Sequence, residues 1–225
     1  MKGSIKFSQQ NRRHIMKRST KFIWALCGAG LMLWSSAATQ AVGTPGISFL
    51  TSNYEDGGGY SVGYDFTPST PLSVTDLGYY DNGNDGLAVN HNVGIYVVSN
   101  QTLVASALVL TNDTLHINQY WYHDITDVTL AAGVTYRAVA VTTSGEGWAY
   151  NPFDGVNPTP TPNPSLTLGN TGYFVGSNGN LIYPESTNGK WFAVANFLVA
   201  APVPEPSAAL LGLGGLLLLR RRSAE

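Results

Sequence analysis

The sequence predicts an all-β body built as a two-sheet, jelly-roll-like sandwich, flanked by a short apolar helix at each end of the chain. Runs rich in β-branched and aromatic residues recur between residues 42 and 201, and each is bounded by Gly, Asn, Asp or Pro. No stretch of that region has a capped apolar pattern with the 3.6-residue period of a helix. Many short strands in about 150 residues are typical of a two-sheet β-protein.

The first 41 residues are predicted to be a secretory signal peptide. Residues 16–21 are basic, residues 22–34 are apolar, and residues 35–41 are mostly small, with cleavage expected after Ala38 or Ala41. Met16 is a candidate start of translation, because residues 1–15 add nothing to this design. Cys27 lies in the apolar run, so the body that signal peptidase releases would contain no cysteine and no disulfide.

The body, residues 42–201, alternates strongly enough to assign individual strands. The pattern is clearest over residues 135–142 and 191–199, where apolar side chains alternate with small or polar ones. Gly133 is expected to supply the positive φ of the turn that precedes residue 135. We predict strands over residues 60–66, 73–80, 92–98, 103–110, 120–126, 135–142, 147–150, 173–175 and 191–199.

The body is strongly acidic. Residues 42–201 contain twelve Asp and Glu side chains against Arg137 and Lys190, which gives a net charge of −10, whereas the full chain has −2. Binding of nucleic acid requires Lys and Arg to replace the counterions of the phosphates. The composition therefore argues strongly against a nucleic-acid partner.

The C-terminal segment, residues 202–225, has three ordered parts. Pro204, Glu205 and Pro206 precede twelve residues without a polar side chain, 208–219, and Arg220, Arg221 and Arg222 follow. As a helix, twelve residues cover about 18 Å, which is short for a bilayer core of about 30 Å. The arginines would be retained on the cytoplasmic side. A core helix is the alternative, but the terminal position and the arginines favour a short transmembrane helix.

This tail resembles the PEP-CTERM sorting signal of exported bacterial proteins. The resemblance implies recognition and processing by an exosortase, in bacteria that also make extracellular polysaccharide. We therefore expect export through the inner membrane, transient anchoring, removal of the tail near residues 204–206, and residence at the cell surface or in the extracellular matrix.

The body itself resembles a small family of exported β-sandwich proteins of unknown function that often carry the same tail. The resemblance rests on residues 60–66, on residues 77–96, which look like a hairpin with an Asn, Asp and Gly loop, and on residues 188–199, which look like the closing strand of that family. It implies the fold and the exported context, and no activity.

The loop between residues 80 and 92 is a candidate calcium site. Asp81, Asn82, Asn84 and Asp85 offer carboxylate and amide oxygens, the ligands that calcium prefers. Position three of an EF-hand would be Gly83 and position twelve would be Asn92, so an EF-hand is excluded. A looser structural calcium site and a simple turn remain as interpretations.

Aromatic residues near loops are candidates for stacking on sugars. Trp148, Tyr150 and Phe153 precede a stiff, proline-rich stretch at residues 157–164 that could hold these rings outward. The alternative is that such rings fill the core or cover its rim, which we expect of Trp121 and Trp191.

No catalytic or transition-metal motif is visible. His91, His116 and His123 are far apart in the sequence and have no Cys partner, and no serine lies in a nucleophile-elbow motif. The sequence thus predicts a non-catalytic, structural or adhesive protein of the cell surface or matrix, without a cofactor unless calcium binds. A carbohydrate-binding module for extracellular polysaccharide is the first alternative, and a polysaccharide hydrolase is the second.

Overall fold

The computed structural model describes residues 42–49, 53–55, 57–146, 148–152, 159–187 and 189–201, and every structural statement below refers to these residues. The two predicted terminal helices and Phe153 lie outside them. Within them the regular structure consists of strands alone. They are β1 (Thr44–Pro45), β2 (Ile47–Ser48), β3 (Asn53–Glu55), β4 (Tyr60–Pro68), β5 (Leu72–Tyr80), β6 (His91–Val97), β7 (Thr102–Val109), β8 (Leu115–Ile117), β9 (Tyr120–Leu130), β10 (Tyr136–Thr142), β11 (Trp148–Pro152), β12 (Thr161–Pro162), β13 (Leu166–Gly176), β14 (Ser186–Thr187), β15 (Lys190–Trp191) and β16 (Ala195–Val199).

Two antiparallel sheets pack as a sandwich, which confirms the predicted all-β class. The six-stranded sheet has the order β14-β13-β4-β10-β6-β7, and the five-stranded sheet has the order β1-β16-β5-β9-β8. The two smaller sheets are β15-β11-β3 and β12-β2. The turn before β10 is also as predicted, because Gly133 has a φ of 73°.

The predicted strands all occur, but the closing one is interrupted. The chain leaves β15, passes through the buried residues 192–194, and enters β16 in a different sheet. The Tyr120 hydroxyl donates a hydrogen bond of 2.6 Å to the Ala193 carbonyl, which satisfies one backbone group of this buried crossing. The sequence pattern also missed the extent of β13 and most of the strands of two or three residues.

Residues 77–96 do not form the expected hairpin. β5 lies in the five-stranded sheet and β6 in the six-stranded sheet, so residues 81–90 carry the chain from one sheet to the other. Asn, Asp and Gly are typical both of a tight hairpin turn and of a longer loop that crosses between sheets, because both need residues that tolerate a positive φ.

The core is dominated by aromatic rings, and it forms without a disulfide. Phe66 of the six-stranded sheet and Phe197 of the five-stranded sheet are both fully buried, with ring centroids 4.7 Å apart. Burying a side chain of this size contributes about 1.5–3 kcal/mol. Five tyrosines are also among the largest fully buried side chains: Tyr64, Tyr79, Tyr80, Tyr120 and Tyr122.

Asn196 ties the N-terminal segment of the body to the closing strand. Its side-chain Oδ1 accepts the Ile47 N–H at 3.2 Å, and its Nδ2 donates to the Ile47 carbonyl at 2.9 Å. The buried amide thus replaces the strand partner that β2 would otherwise need on this side.

Arg137 fixes the segment that follows β13 onto the six-stranded sheet. Its guanidinium donates to both carboxylate oxygens of Asp65, at 2.6 and 3.0 Å, and to the Pro184 carbonyl. It also lies over the rings of Tyr173 and Tyr183, at 3.2 and 4.5 Å from their centroids. Because Arg137 is only 3 % exposed, these contacts are desolvated and strong.

Candidate functional site

One end of the sandwich collects several polar connections, and we call it the loop end. It comprises residues 57–59, 81–90, 110–119, 143–146 and 177–180. Strands β5, β7, β10 and β13 end at this end of the sandwich, and strands β4, β6 and β9 begin there. The connections between these strands therefore meet at the loop end. Within each sheet the register shows this, since Tyr60 is opposite Thr142 and Gly176, and Tyr80 is opposite Tyr120.

Asp81 organises the 81–90 connection. Its side chain is fully buried and accepts three hydrogen bonds, from the N–H groups of Asn84 (3.2 Å) and Gly86 (2.9 Å) and from Nε1 of Trp121 (2.8 Å). Trp121 is half-buried and packs against the core, so it covers the rim, as expected.

The hydrogen bonds of Asp81 fit the turn interpretation of the 81–90 connection, and the calcium site stays a prediction. Oδ2 of Asp81 accepts two N–H donors and Oδ1 accepts one, so these hydrogen bonds would compete with calcium for the lone pairs of the carboxylate. Asn84 and Asp85 are exposed, and Asn82 is half-buried. Among the described residues, no group of three or more His, Cys, Asp or Glu side chains is placed to hold a metal ion.

Glu146 fastens the 143–146 connection to the 81–90 connection. Its Oε2 accepts the Ala88 N–H at 2.6 Å, and the residue is 5 % exposed. Burial raises the pKa of Glu146, and the charges of Asp81 and Asp85 add to the rise, while the hydrogen bond from Ala88 lowers it. The carboxyl group therefore holds two loops together at the cost of an unfavourable electrostatic environment.

His91 is a core residue at the base of the loop end. Its ring stacks on the ring of Tyr79, with centroids 3.5 Å apart and planes 10° apart, and its Nδ1 donates to the Val141 carbonyl at 3.2 Å. Burial lowers the pKa of His91 to about 4, although the hydrogen bond to Val141 opposes this. The imidazole is thus neutral at physiological pH, and it stabilises the packing of β5 against β6.

The predicted stacking residue Trp148 is buried, so the expectation that its ring faces solvent is wrong. It is 5 % exposed and packs between Phe192, at 5.4 Å, and Tyr150, at 5.9 Å. Trp191 is buried as expected. Tyr150 is half-buried, and Nζ of Lys190 lies 3.8 Å from its ring centroid.

A further ring reaches the surface at a residue that the sequence pattern did not single out. Tyr60 is 41 % exposed and lies 6.5 Å from the half-buried Phe174, which is 6.5 Å from Phe192. With Trp148 and Tyr150 they form a continuous line of rings, which we call the aromatic line. Tyr60 was missed because it occupies the first inward position of β4 in the alternating pattern, and only the end of the sheet exposes it.

A cleft of about 360 Å³ runs along one side of the sandwich, between β7 and β9. It is lined by Val104, Ala105, Ser106, Ala107, His123, Asp124, Ile125, Thr126 and Val128. Beside it, Nδ1 of His123 pairs with Asp113 at 3.0 Å. No Phe, Tyr or Trp side chain is among these lining residues, so the polysaccharide-hydrolase interpretation gains no support from this cleft.

Asp76 of β5 lies opposite Asp124 of β9 and is 7 % exposed. Burial raises the pKa of Asp76, and the charges of Asp124 and Asp127 raise it further, whereas a hydrogen bond from Thr75 and the neighbouring His123 lower it. Asp76, Asp124 and Asp127 therefore crowd this side of the sandwich, which we call the acidic side.

The six predicted sorting residues, Pro204, Glu205, Pro206, Arg220, Arg221 and Arg222, lie outside the described residues. In the portion of the chain that the structure does describe, no helix is long and apolar enough to cross a membrane.

No protein-family model matches the chain, and no curated protein sequence matches it. Among solved structures, a family 35 carbohydrate binding module from an environmental isolate aligns with 59 % of this chain and 94 % of its own, at 15 % identity and a TM-score of 0.30. A similarity of this size carries no argument about function.

Proposed function

We propose that this protein is an exported, non-catalytic component of the bacterial cell surface or extracellular matrix, with a structural or adhesive role. The observation that carries the proposal is that carboxylates at the loop end accept hydrogen bonds from backbone N–H groups. Asp81 and Glu146 accept backbone N–H groups, and Asp113 accepts the Leu110 N–H at 2.7 Å as well as pairing with His123. These side chains hold loops in place, which suits a rigid body that has no disulfide to rely on.

The route to the surface is part of the same proposal. Signal peptidase would remove residues 1–41, and an exosortase would recognise Pro204, Glu205 and Pro206 and release the body near them. The jelly-roll form of the sandwich also belongs to the proposal, and it is supported by the repeated crossing of the chain between the two sheets.

Fractionation of producing cells tests this function. The full chain should appear in the envelope or matrix fraction, whereas a variant in which alanine replaces Arg220, Arg221 and Arg222 should be mis-sorted. The proposal fails if both forms distribute identically, or if the full chain stays in the cytoplasm.

Binding of extracellular polysaccharide is the second candidate function, and the aromatic line supports it. Tyr60 and Phe174 present partly exposed rings beside the polar connections of the loop end, and such rings stack on sugar faces. Retention of the purified body on matrix polysaccharide should fall in Tyr60→Ala. Leu103→Ala, which removes a 43 % exposed apolar side chain elsewhere, should leave retention unchanged. Equal retention of the parent body, Tyr60→Ala and Leu103→Ala would exclude this role for Tyr60.

A further inference from the structure

The outer strands of the two large sheets are protected unequally. Three of the four outer strands are only two or three residues long, namely β14, β1 and β8. The fourth, β7, has eight residues, Thr102–Val109, and it contains neither a charged residue nor a proline. Short strands, charges and prolines are the usual means of preventing pairing at a sheet edge. With respect to the part of the chain that the structure describes, β7 therefore presents an unprotected row of backbone donors and acceptors.

A second free edge faces β7 across the cleft. β8 pairs only with residues 120–122 of β9, so residues 123–130 have no described strand on that side. The two edges differ in chemistry. Leu103 and Leu108 of β7 are each 43 % exposed, whereas β9 contributes the exposed Asp124 to the cleft.

The register of β7 defines what an added strand would meet. Leu103 is opposite Tyr96 and Leu108 is opposite Asn92, and cross-strand partners share a face. Residues 92 and 96 lie on one face of β6, so both leucines lie on one face of β7. Ala105 and Ala107 are opposite the buried Ile95 and Val93, on the other face, and both alanines line the cleft.

We propose that β7 is a docking edge for an extended, basic peptide segment of a partner protein. The segment would pair with the free backbone of β7, place apolar side chains beside Leu103 and Leu108, and direct Lys or Arg side chains into the cleft towards Asp124. Charge complementarity selects this occupant over a second copy of the chain. Two copies would bring two acidic sides together, at a body charge of −10 each. The inference goes beyond the proposed function and does not depend on the export route.

A synthetic octapeptide of alternating lysine and leucine is the probe, and the same peptide with glutamate in place of lysine is its control. We expect the lysine peptide to bind the body, with an affinity that falls as salt is added. On binding, amide hydrogens of residues 102–109 should become protected from exchange. Equal affinity for both peptides, or protection confined to other strands, would overturn the proposal.

Two charge-reversal variants separate the cleft from the overall charge. Asp124→Lys and Asp85→Lys change the net charge by the same amount, but only Asp124 lines the cleft, and both side chains are exposed. Asp124→Lys should weaken the lysine peptide about tenfold, whereas Asp85→Lys should change its affinity by less than about twofold. Equal losses would show that attraction to the acidic body alone explains binding, which would overturn the proposal.

Self-association is the competing outcome. If sedimentation equilibrium shows dimers of the body that Leu108→Lys abolishes, then β7 docks a second copy and the basic-peptide assignment is wrong. A monomeric body that binds the lysine peptide supports it.

Discussion

Replacing Arg137 by methionine should destabilise the body severely. Arg137 is 3 % exposed, and its guanidinium holds Asp65, the Pro184 carbonyl and two tyrosine rings. The variant leaves the carboxylate of Asp65 buried without its partner, and removing one member of a buried ion pair typically costs about 3–5 kcal/mol. A domain has only about 5–15 kcal/mol of net stability. The loss should therefore be visible as a large fall in the denaturation midpoint.

Chemical denaturation of the body measures this loss, and two further variants control it. Lys190→Met removes the other basic side chain of the body, which lies over a half-buried ring, and it should cost less than about 1 kcal/mol. Combining Asp65→Leu with Arg137→Met removes both charges and should recover most of the loss, because no unpaired charge stays buried. A loss below about 1 kcal/mol for Arg137→Met alone would refute this account of how the segment around Pro184 is held.

Three further predictions concern pH, the 81–90 connection and a turn. Because the pKa of His91 in the folded state, about 4, is below its ordinary value of 6.5, the unfolded chain binds a proton first as the pH falls. The free energy of unfolding should thus drop by about 3 kcal/mol between pH 6.5 and pH 4. His91→Phe should remove that part of the pH dependence in denaturation titrations. A pH profile of the variant that runs parallel to that of the parent protein would contradict this role of His91. Asp81→Ala should lower the free energy of unfolding by about 1–3 kcal/mol, because it leaves three N–H donors without an acceptor. Added calcium should leave the melting temperature of the parent protein unchanged. A calcium-dependent rise in the melting temperature would support the calcium interpretation instead. Because Gly133 has a φ of 73°, Gly133→Ala should lower the free energy of unfolding by about 1–2 kcal/mol, and Gly133→Asn should lower it less. Thermal denaturation measures both losses. Equal stability of the parent protein and both variants would be incompatible with the positive φ.

The sequence predicted those strands whose pattern depends only on neighbouring residues. Residues 60–66, 73–80 and 135–142 alternate or carry β-branched and aromatic side chains between clear turn residues, and each forms a strand of nearly the expected extent. Gly133 was predictable for the same reason, since only the identity of one residue and its neighbours was needed.

The pairing of strands was not predictable, because it depends on contacts distant in sequence. Residues 77–96 have the composition of a hairpin, and the structure sends their two strands into different sheets. The apolar run over residues 191–199 gives no sign that its middle crosses between sheets, since buried residues of a strand and of a buried turn look alike.

The candidate site was the least predictable part. Trp148 lies next to a loop in sequence, but the ring turns into the core beside Phe192, whereas Tyr60, at an inward position of its strand, is exposed by the end of the sheet. The exposure of an aromatic side chain is set by what packs over it, and one sequence does not contain that information.

The mass and C-terminal sequence of the exported protein test the central proposal most directly. The account predicts a mature chain that begins after Ala38 or Ala41 and ends close to residues 204–206, recovered from the envelope or matrix of the producing cell. A released protein that still carries Arg220, Arg221 and Arg222 would contradict it.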